Sequence, residues 1–386
     1  MSATFTRRAG LSAAGAAFLA TLAACSSGAT ASDVTAAGAG DTSTPRTVTI
    51  TDETGREVEL QLPLTRVVSG LGGNQYILET IRAVGADDRV IGASASQIRT
   101  DGWGDYWNSF EPLADDANLI AGESGDFNYD AIIGLNPQAL LTGSNSSWQE
   151  AEEKLAPFGI KVLVFTAWEP RFADVNTDLL AELFDVQDTA DAYRAYVDEI
   201  REVVATGLEG ITDAEKKSVY FEGAVDYQAG VPGGWDWVIQ YAGGRNIFSD
   251  ILINGGIGWN SYDVEPAEIV ARNPQVIVKN GVPTLPQGFY VPWGRDVFAA
   301  SYDAVVSRPG FDTIDAVRND EVYQLNNFLT SAASKWVGVL YLATWLYPDR
   351  FADVDPEPYF ERWTSEFQKS EYIPAADYLY LPADRA

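Results

Sequence analysis

The chain has 386 residues, one cysteine, no histidine and a formal net charge of −29, from 55 acidic against 26 basic residues. Without histidine it cannot build a Ser-His-Asp or Cys-His relay, a histidine-rich zinc centre or a histidine-ligated haem, and so acidic a surface repels nucleic acid and anionic lipid. The 46% hydrophobic and 12% aromatic content suffices for sizeable cores, and the length suggests two domains.

In chain order, Arg7 and Arg8 precede an apolar stretch over 9–22 and the small-residue run Leu22-Ala23-Ala24-Cys25. Charge, short apolar segment and small residues, in that order, make 1–24 a secretory signal. The apolar stretch is too short for a bilayer, which needs roughly 20 residues. Removing 1–24 takes two arginines and no acid, so the mature charge is −31. A lone cysteine can be a buried core thiol, but Cys25 stands at the cleavage point. Residues 25–46 are mostly Ser, Gly, Ala and Thr and read as a flexible tether. Over 47–62, Val48, Ile50, Val58, Leu60 and Leu62 alternate around Asp52-Glu53-Thr54-Gly55, a hairpin pattern.

From Arg66 short apolar runs alternate with helical stretches. Strands are expected at 66–69, 89–93, 139–142 and 161–165. Helices are expected at 75–84, 129–135 and 148–158, the second stopped before Pro137. A long amphipathic helix follows over 189–208, with Tyr193, Tyr196, Val197, Ile200, Val203, Val204 and Leu208 on one face. The alternation then restarts: strands at 218–222, 276–278 and 321–325, and helices at 235–241, 267–272, 297–306, 336–346 and 359–367. Trp336, Trp345 and Trp363 fall at helical spacing and are assigned to the core. The fold class is α/β: two lobes with mainly parallel central sheets joined by one long helix. The expected organisation is 1–24 signal, 25–46 lipidated tether, 47–188 N-terminal lobe, 189–210 connecting helix and 211–386 C-terminal lobe.

An internal repeat supports two similar lobes. Asp130–Gln138 and Glu268–Gln275 each hold a short helix ended by Asn-Pro-Gln, followed by an apolar strand. No GxSxG, no GxxxxGK[ST] and no GxGxxG after a strand is present. A carboxylate-pair hydrolase is open among so many acids, but no spacing singles out a pair.

The Leu-Ala-Ala-Cys ending resembles the lipobox of bacterial lipoproteins, which implies acylation of Cys25. Thr6-Arg7-Arg8-Ala9-Gly10-Leu11 resembles a loose twin-arginine signal, leaving two export routes open. From Val48 to Phe367 the chain resembles the substrate-binding lipoproteins of ABC importers for iron-siderophore, haem and cobalamin. The resemblance rests on Thr51-Asp52-Glu53-Thr54-Gly55-Arg56, Glu79–Gly85, both Asn-Pro-Gln units, Ala242-Gly243-Gly244-Arg245-Asn246-Ile247, Ala316–Tyr323 and Leu346–Phe351. It implies an extracytoplasmic, lipid-anchored monomer that captures a metal chelate in an inter-lobe cleft and delivers it to a permease and its ATPase. A ferric siderophore comes first, then cobalamin or haem; no side-chain metal ligand and no resident cofactor are expected, and no catalysis. A carbohydrate-binding importer component is the alternative, beside the hydrolase. In the family a glutamate seven residues before the Pro of each repeat grips arginines of the permease. Those positions here are Asp130 and Ala267, with Glu265 and Glu268 flanking the latter.

Ligand contacts are expected after the strands, where parallel sheets open a crevice. In the first lobe these are Asn74, Gln75, Trp103, Trp107, Ser144, Asn145 and Trp168. In the second they are Tyr227, Trp235, Trp259, Trp293 and Arg295. Several of the eleven tryptophans lie in Gly- or Asp-rich loops, either as cleft contacts or as packing anchors. The segment 330–334 has no arginine where many relatives carry one.

Overall fold

One all-parallel sheet, one mixed sheet and a hairpin organise the computed structural model. It describes residues 45–70, 75–98, 106–107, 109–110, 113, 115–121, 126–144, 146–165, 167, 172–253, 261–282, 290, 292–330 and 335–385. All lie in one compact unit, Ser43–Ala386.

The hairpin expected over 47–62 pairs β1 (Arg46–Thr51) with β2 (Glu57–Leu62), antiparallel, with Ile50 opposite Val58. It buries Ile50, Val58, Leu60 and Leu62 on one face. The first lobe follows: β3 (Val67–Ser69), α1 (Gln75–Ala83), β4 (Val90–Ser94), α2 (Ala95–Ile98), β5 (Leu119–Ala121), α3 (Tyr129–Leu135), β6 (Ala139–Thr142), α4 (Trp148–Leu155) and β7 (Lys161–Val164). Its strands form one all-parallel sheet in the order β5-β4-β3-β6-β7. The order reverses between β3 and β6, the place where open α/β sheets hold ligands.

Helix α5 (Ala173–Phe184) and the long α6 (Gln187–Gly207) form a tight helical hairpin. Helix α6 buries Ala190, Tyr193, Tyr196, Val197, Ile200 and Val204. At 1.5 Å per residue it runs about 30 Å. Its outer arginines pair with α5, Arg194 with Asp178 at 2.6 Å and Arg201 with Asp174 at 2.7 Å. Gly85, just after α1, has φ +80, and a Cβ there would lie 3.2 Å from Thr189 Oγ1. This left-handed turn lets the start of α6 close on lobe one, where Thr189 donates to the Val84 carbonyl.

The second lobe comprises β8 (Ser218–Glu222), β9 (Gln228–Gly230), α7 (Gly234–Tyr241), β10 (Arg245–Asn246), β11 (Ser261–Asp263), α8 (Pro266–Arg272), β12 (Val276–Asn280), α9 (Arg295–Val306), α10 (Asp315–Arg318), β13 (Val322–Leu325), α11 (Lys335–Leu346), α12 (Glu357–Arg362) and β14 (Leu379–Tyr380). Strands β8, β12 and β13 are parallel, with β10 parallel to β8. Strands β9, β11 and β14 add antiparallel pairings. Helix α11 is apolar all round and almost wholly buried, as a helix between layers must be. Trp336 and Trp363 are buried and Trp345 packs against the same core, as expected. One cluster runs from Val67 and Leu141 through α6 to Phe221, Val278 and α11, so both lobes share a core.

The repeat proves geometrical. Asn136 and Asn273 both take the left-handed conformation that ends α3 and α8, with φ 50 and 44. Gln138 Oε1 then accepts from the Arg66 N–H (3.1 Å), and Gln275 Oε1 from the Ser218 N–H (3.0 Å). In each lobe the Gln thus ties the start of one central strand to its parallel neighbour.

The pattern did not announce α5, β5, β9 to β11, β14 or the short α2 and α10. The helix expected over 359–367 is α12 followed by a π-helical turn, Trp363–Phe367.

Candidate functional site: the cleft between strand ends

In lobe one the neighbouring strands β4, β3 and β6 end in Ser94, Ser69 and Thr142, all fully buried. The Thr142 hydroxyl donates to Ser146 Oγ at 2.9 Å. Ser69 Oγ has no hydrogen-bond partner among the described residues. In lobe two the matching ends carry Glu222, Asn280 and, just after β13, Asn326, likewise buried. Each apolar run therefore closes on a polar side chain at its C-terminal end. A sequence reading could have found this signal in Val-Val-Ser, Leu-Leu-Thr and Val-Ile-Val-Lys-Asn.

The two edges meet through aromatic rings. Tyr106, which follows β4 in the chain, stacks on Tyr290, which follows β12, with centroids 5.1 Å apart. Phe328, after β13, meets both edge-on at 5.3 and 5.6 Å and stacks on Tyr378. Beside this floor the start of α11 faces the start of α1: Lys335 Nζ stands 6.0 Å from the Tyr76 ring centroid. Lys335 is 2% exposed. It directly follows the segment 330–334. A buried ammonium thus stands beside two helix starts, where backbone dipoles favour anions.

A buried ion cluster shapes the lobe-two rim. Glu222 accepts from Lys279 Nζ at 2.6 Å, from both Arg308 nitrogens at 2.8 and 2.9 Å, from the Tyr220 hydroxyl at 2.6 Å and from the Tyr227 N–H at 3.0 Å. Asp226 joins through Lys279 at 3.1 Å and Arg308 at 2.9 Å. Burial works against the Arg308 charge, but Glu222 and Asp226 overcome it and hold its pKa above the usual arginine range. Tyr227 sits at φ +60, held by its N–H bond to Glu222, with Arg308 over its ring at 4.4 Å. A tyrosine in this region is strained and persists only where its surroundings fix it.

Of the expected contacts, Asn74, Trp103, Asn145, Trp168 and Trp259 lie outside the described residues, as does Cys25. Gln75 opens α1. Trp107 is 5% exposed and packs edge-on against Tyr106 at 4.8 Å. Trp235, the second residue of α7, is 4% exposed and packs against Phe221 at 5.2 Å. Both rings spend most of their surface on the protein itself. Trp293 is half-buried on Phe298 at 5.3 Å. Ser144 is exposed. Arg295 is exposed and pairs with Asp384 at 2.5 Å. Asp130 is exposed at the start of α3, and Glu265 is the exposed residue before α8. Glu268 is held by Arg272 at 2.7 Å.

A groove of about 510 Å³ lies elsewhere, between α6 and residues 350–359, lined by Glu199, Val203, Arg350, Phe351 and Tyr359 among others. It has no residue from a strand end of either sheet, so the strand ends are the better candidate despite the groove's size. Among the described residues no cluster of acidic side chains is arranged to hold a metal ion, and no helix is long and apolar enough to cross a membrane.

Two α/β lobes facing each other across polar strand ends define a two-lobe binding protein. Residues 74–328 match the model of the periplasmic binding protein family, and the chain belongs to it. A curated relative from Halobacterium salinarum, named a cobalamin-binding protein, is 25% identical over 208 residues, 53% of this chain and 52% of the relative. The chain thus aligns with about half the length of that relative. The fold is shared with a TroA-like periplasmic binding protein, FepB, from Veillonella parvula: TM-score 0.67, 20% identity, 86% of this chain and 99% of that one. It is also shared with MolA of Haemophilus influenzae, solved with molybdate: TM-score 0.65, 17% identity, 85% and 99% coverage.

Proposed function

We propose that the chain is an extracytoplasmic solute-binding protein, anchored by lipid at Cys25, that captures a metal chelate and hands it to an ABC importer permease. The observation that carries this reading is the family match over a fold whose polar strand ends face one another. The buried Lys335 favours a ligand with anionic character, such as a ferric siderophore or the phosphate-bearing side of a corrinoid. The relative's name makes cobalamin the first compound to test. Asp130 and Glu265, exposed at the starts of the repeat helices α3 and α8, are the proposed permease contacts. Glu268, engaged by Arg272, is the weaker candidate.

Native mass spectrometry of protein from its own host should reveal a retained chelate, and tryptophan emission should change saturably with cobalamin or a ferric siderophore. Absence of both, with glycoside turnover lost on one carboxylate substitution, would replace the reading with the hydrolase. Cys25→Ser should free the protein from the membrane fraction without altering chelate affinity. A variant still acylated and membrane-bound would remove the anchor from the proposal.

A further inference from the structure

Helix α6 is not the only element that joins the lobes. After α12 the chain makes the π-helical turn 363–367 and then places three successive residues on lobe one. Gln368 Oε1 accepts from Arg82 Nε at 3.0 Å and Nη2 at 2.8 Å, and its amide donates to the Glu79 carbonyl at 3.0 Å. Lys369, left-handed at φ +49, pairs with Asp87 at 2.5 Å. The Ser370 hydroxyl donates to the Tyr106 carbonyl at 3.0 Å. Arg82 and Gln368 are buried. The segment is held to lobe two on both sides. Upstream, Glu357 accepts from the Tyr341 hydroxyl of α11 at 2.7 Å; downstream, β14 pairs with β13.

The contact reaches the cleft floor. Arg82 also donates to the Tyr106 carbonyl, and its guanidinium lies over the Tyr106 and Trp107 rings at 4.5 and 4.8 Å. The Tyr106 hydroxyl donates to Glu79 at 2.7 Å and stands 3.1 Å from Gln368 Oε1. Burial first, then the Glu79 charge, keeps this phenol protonated well above the usual tyrosine range. A π turn followed by a left-handed lysine is a costly backbone for a chain segment. It is understandable if the contacts fix something.

We infer that residues 363–370 are a second strut between the lobes, and that Gln368 is its key: a positioning residue that, through Arg82, sets the lobe spacing and holds the Tyr106–Trp107 segment at the cleft floor. This does not depend on which solute is bound.

The test uses the full chain with Cys25→Ser and spin labels at Lys154→Cys on lobe one and Asn319→Cys on lobe two, both exposed positions. Gln368→Ala should broaden the inter-lobe distance distribution. Amide exchange around 106–113 should speed up by about tenfold or more while β6 and β7 keep their protection. Gln368→Glu keeps the acceptor for Arg82 but loses the donor to the Glu79 carbonyl, and should narrow the distribution relative to Gln368→Ala. Should Gln368→Ala fail to fold, the pair Lys369→Ala and Ser370→Ala takes its place, with broadening again expected. Unchanged distances in a folded variant, or exchange that rises equally across lobe one, overturns the inference.

Discussion

One carboxylate joins the hairpin to lobe one. Asp52, nearly fully buried, accepts from the Thr54 N–H at 3.0 Å, the Thr54 hydroxyl at 2.6 Å and Arg56 Nη2 at 2.5 Å. Arg56 in turn reaches the Val162 carbonyl of β7 at 3.1 Å. Burial alone would raise the Asp52 pKa, but the Thr54 and Arg56 hydrogen bonds outweigh it, and the carboxyl sits below its ordinary range. Folding therefore favours the ionised form. The contribution is complete above the unfolded value, near pH 4, and is lost as pH falls through the lower folded value. Asp52→Asn should cost about 2 kcal/mol at pH 7, and its deficit against wild type in urea melts should shrink steadily below about pH 4. A deficit independent of pH would mean that the turn, not the charge, carries the effect. Lys335 supports a second prediction at this scale. Lys335→Gln should weaken an anionic ferric chelate by about tenfold or more, the worth of a charged hydrogen bond, and spare a neutral one. Equal loss for both in titration calorimetry would make Lys335 a packing residue.

Helices α6 and α11 show how a stiff element is built. Helix α6 has no internal proline, and Arg201 lies over the Trp336 ring of α11 at 4.2 Å. Two struts with one shared core leave little freedom for the lobes. Ligand should therefore produce no substantial compaction in small-angle scattering; a large fall in radius of gyration on saturation would contradict it. Helix α6 was legible because its buried residues keep the 3–4 spacing over its length. Its neighbour α5 was not, because its burial is inverted: Asn176 and Thr177 are buried while Val175 is 62% exposed. Strands β10, β11 and β14, two or three residues each, exist through pairing, which leaves no period to read. The site divides the same way. The strand ends that bear it followed from alternating apolar runs, and the repeat helices from Asn-Pro-Gln. Trp107 and Trp235 read as ligand contacts because each follows a strand in the chain. Their burial comes from partners such as Tyr106, Arg82 and Phe221 in the folded core. Gln368 gave no local signal at all, since its meaning lies in an arginine on the other lobe.

At the scale of the molecule, charge works against compactness. The sequence carries more than twice as many acids as bases, so the ion pairs of α5 with α6, or of Arg272 with Asp250 and Glu268, leave most acids unmatched. Mutual repulsion of this kind destabilises a folded state while keeping it soluble. It acts through solvent, and salt shortens its range from about 10 Å at 0.1 M to about 3 Å at 1 M. The enclosed pair of Glu222 with Lys279, both about 1% exposed, is screened far less. Raising sodium chloride from low concentration to about 1 M should therefore raise Tm by several degrees, with most of the gain at the low end where the screening length changes fastest. Glu222→Gln should lower Tm by a similar amount at every salt concentration, because the contacts it removes are internal. A wild-type Tm that does not respond to salt would show that the unmatched acids are spaced too widely to repel. A Glu222→Gln deficit that disappears in high salt would show that the cluster is open to solvent ions, and with it the rim that holds Tyr227.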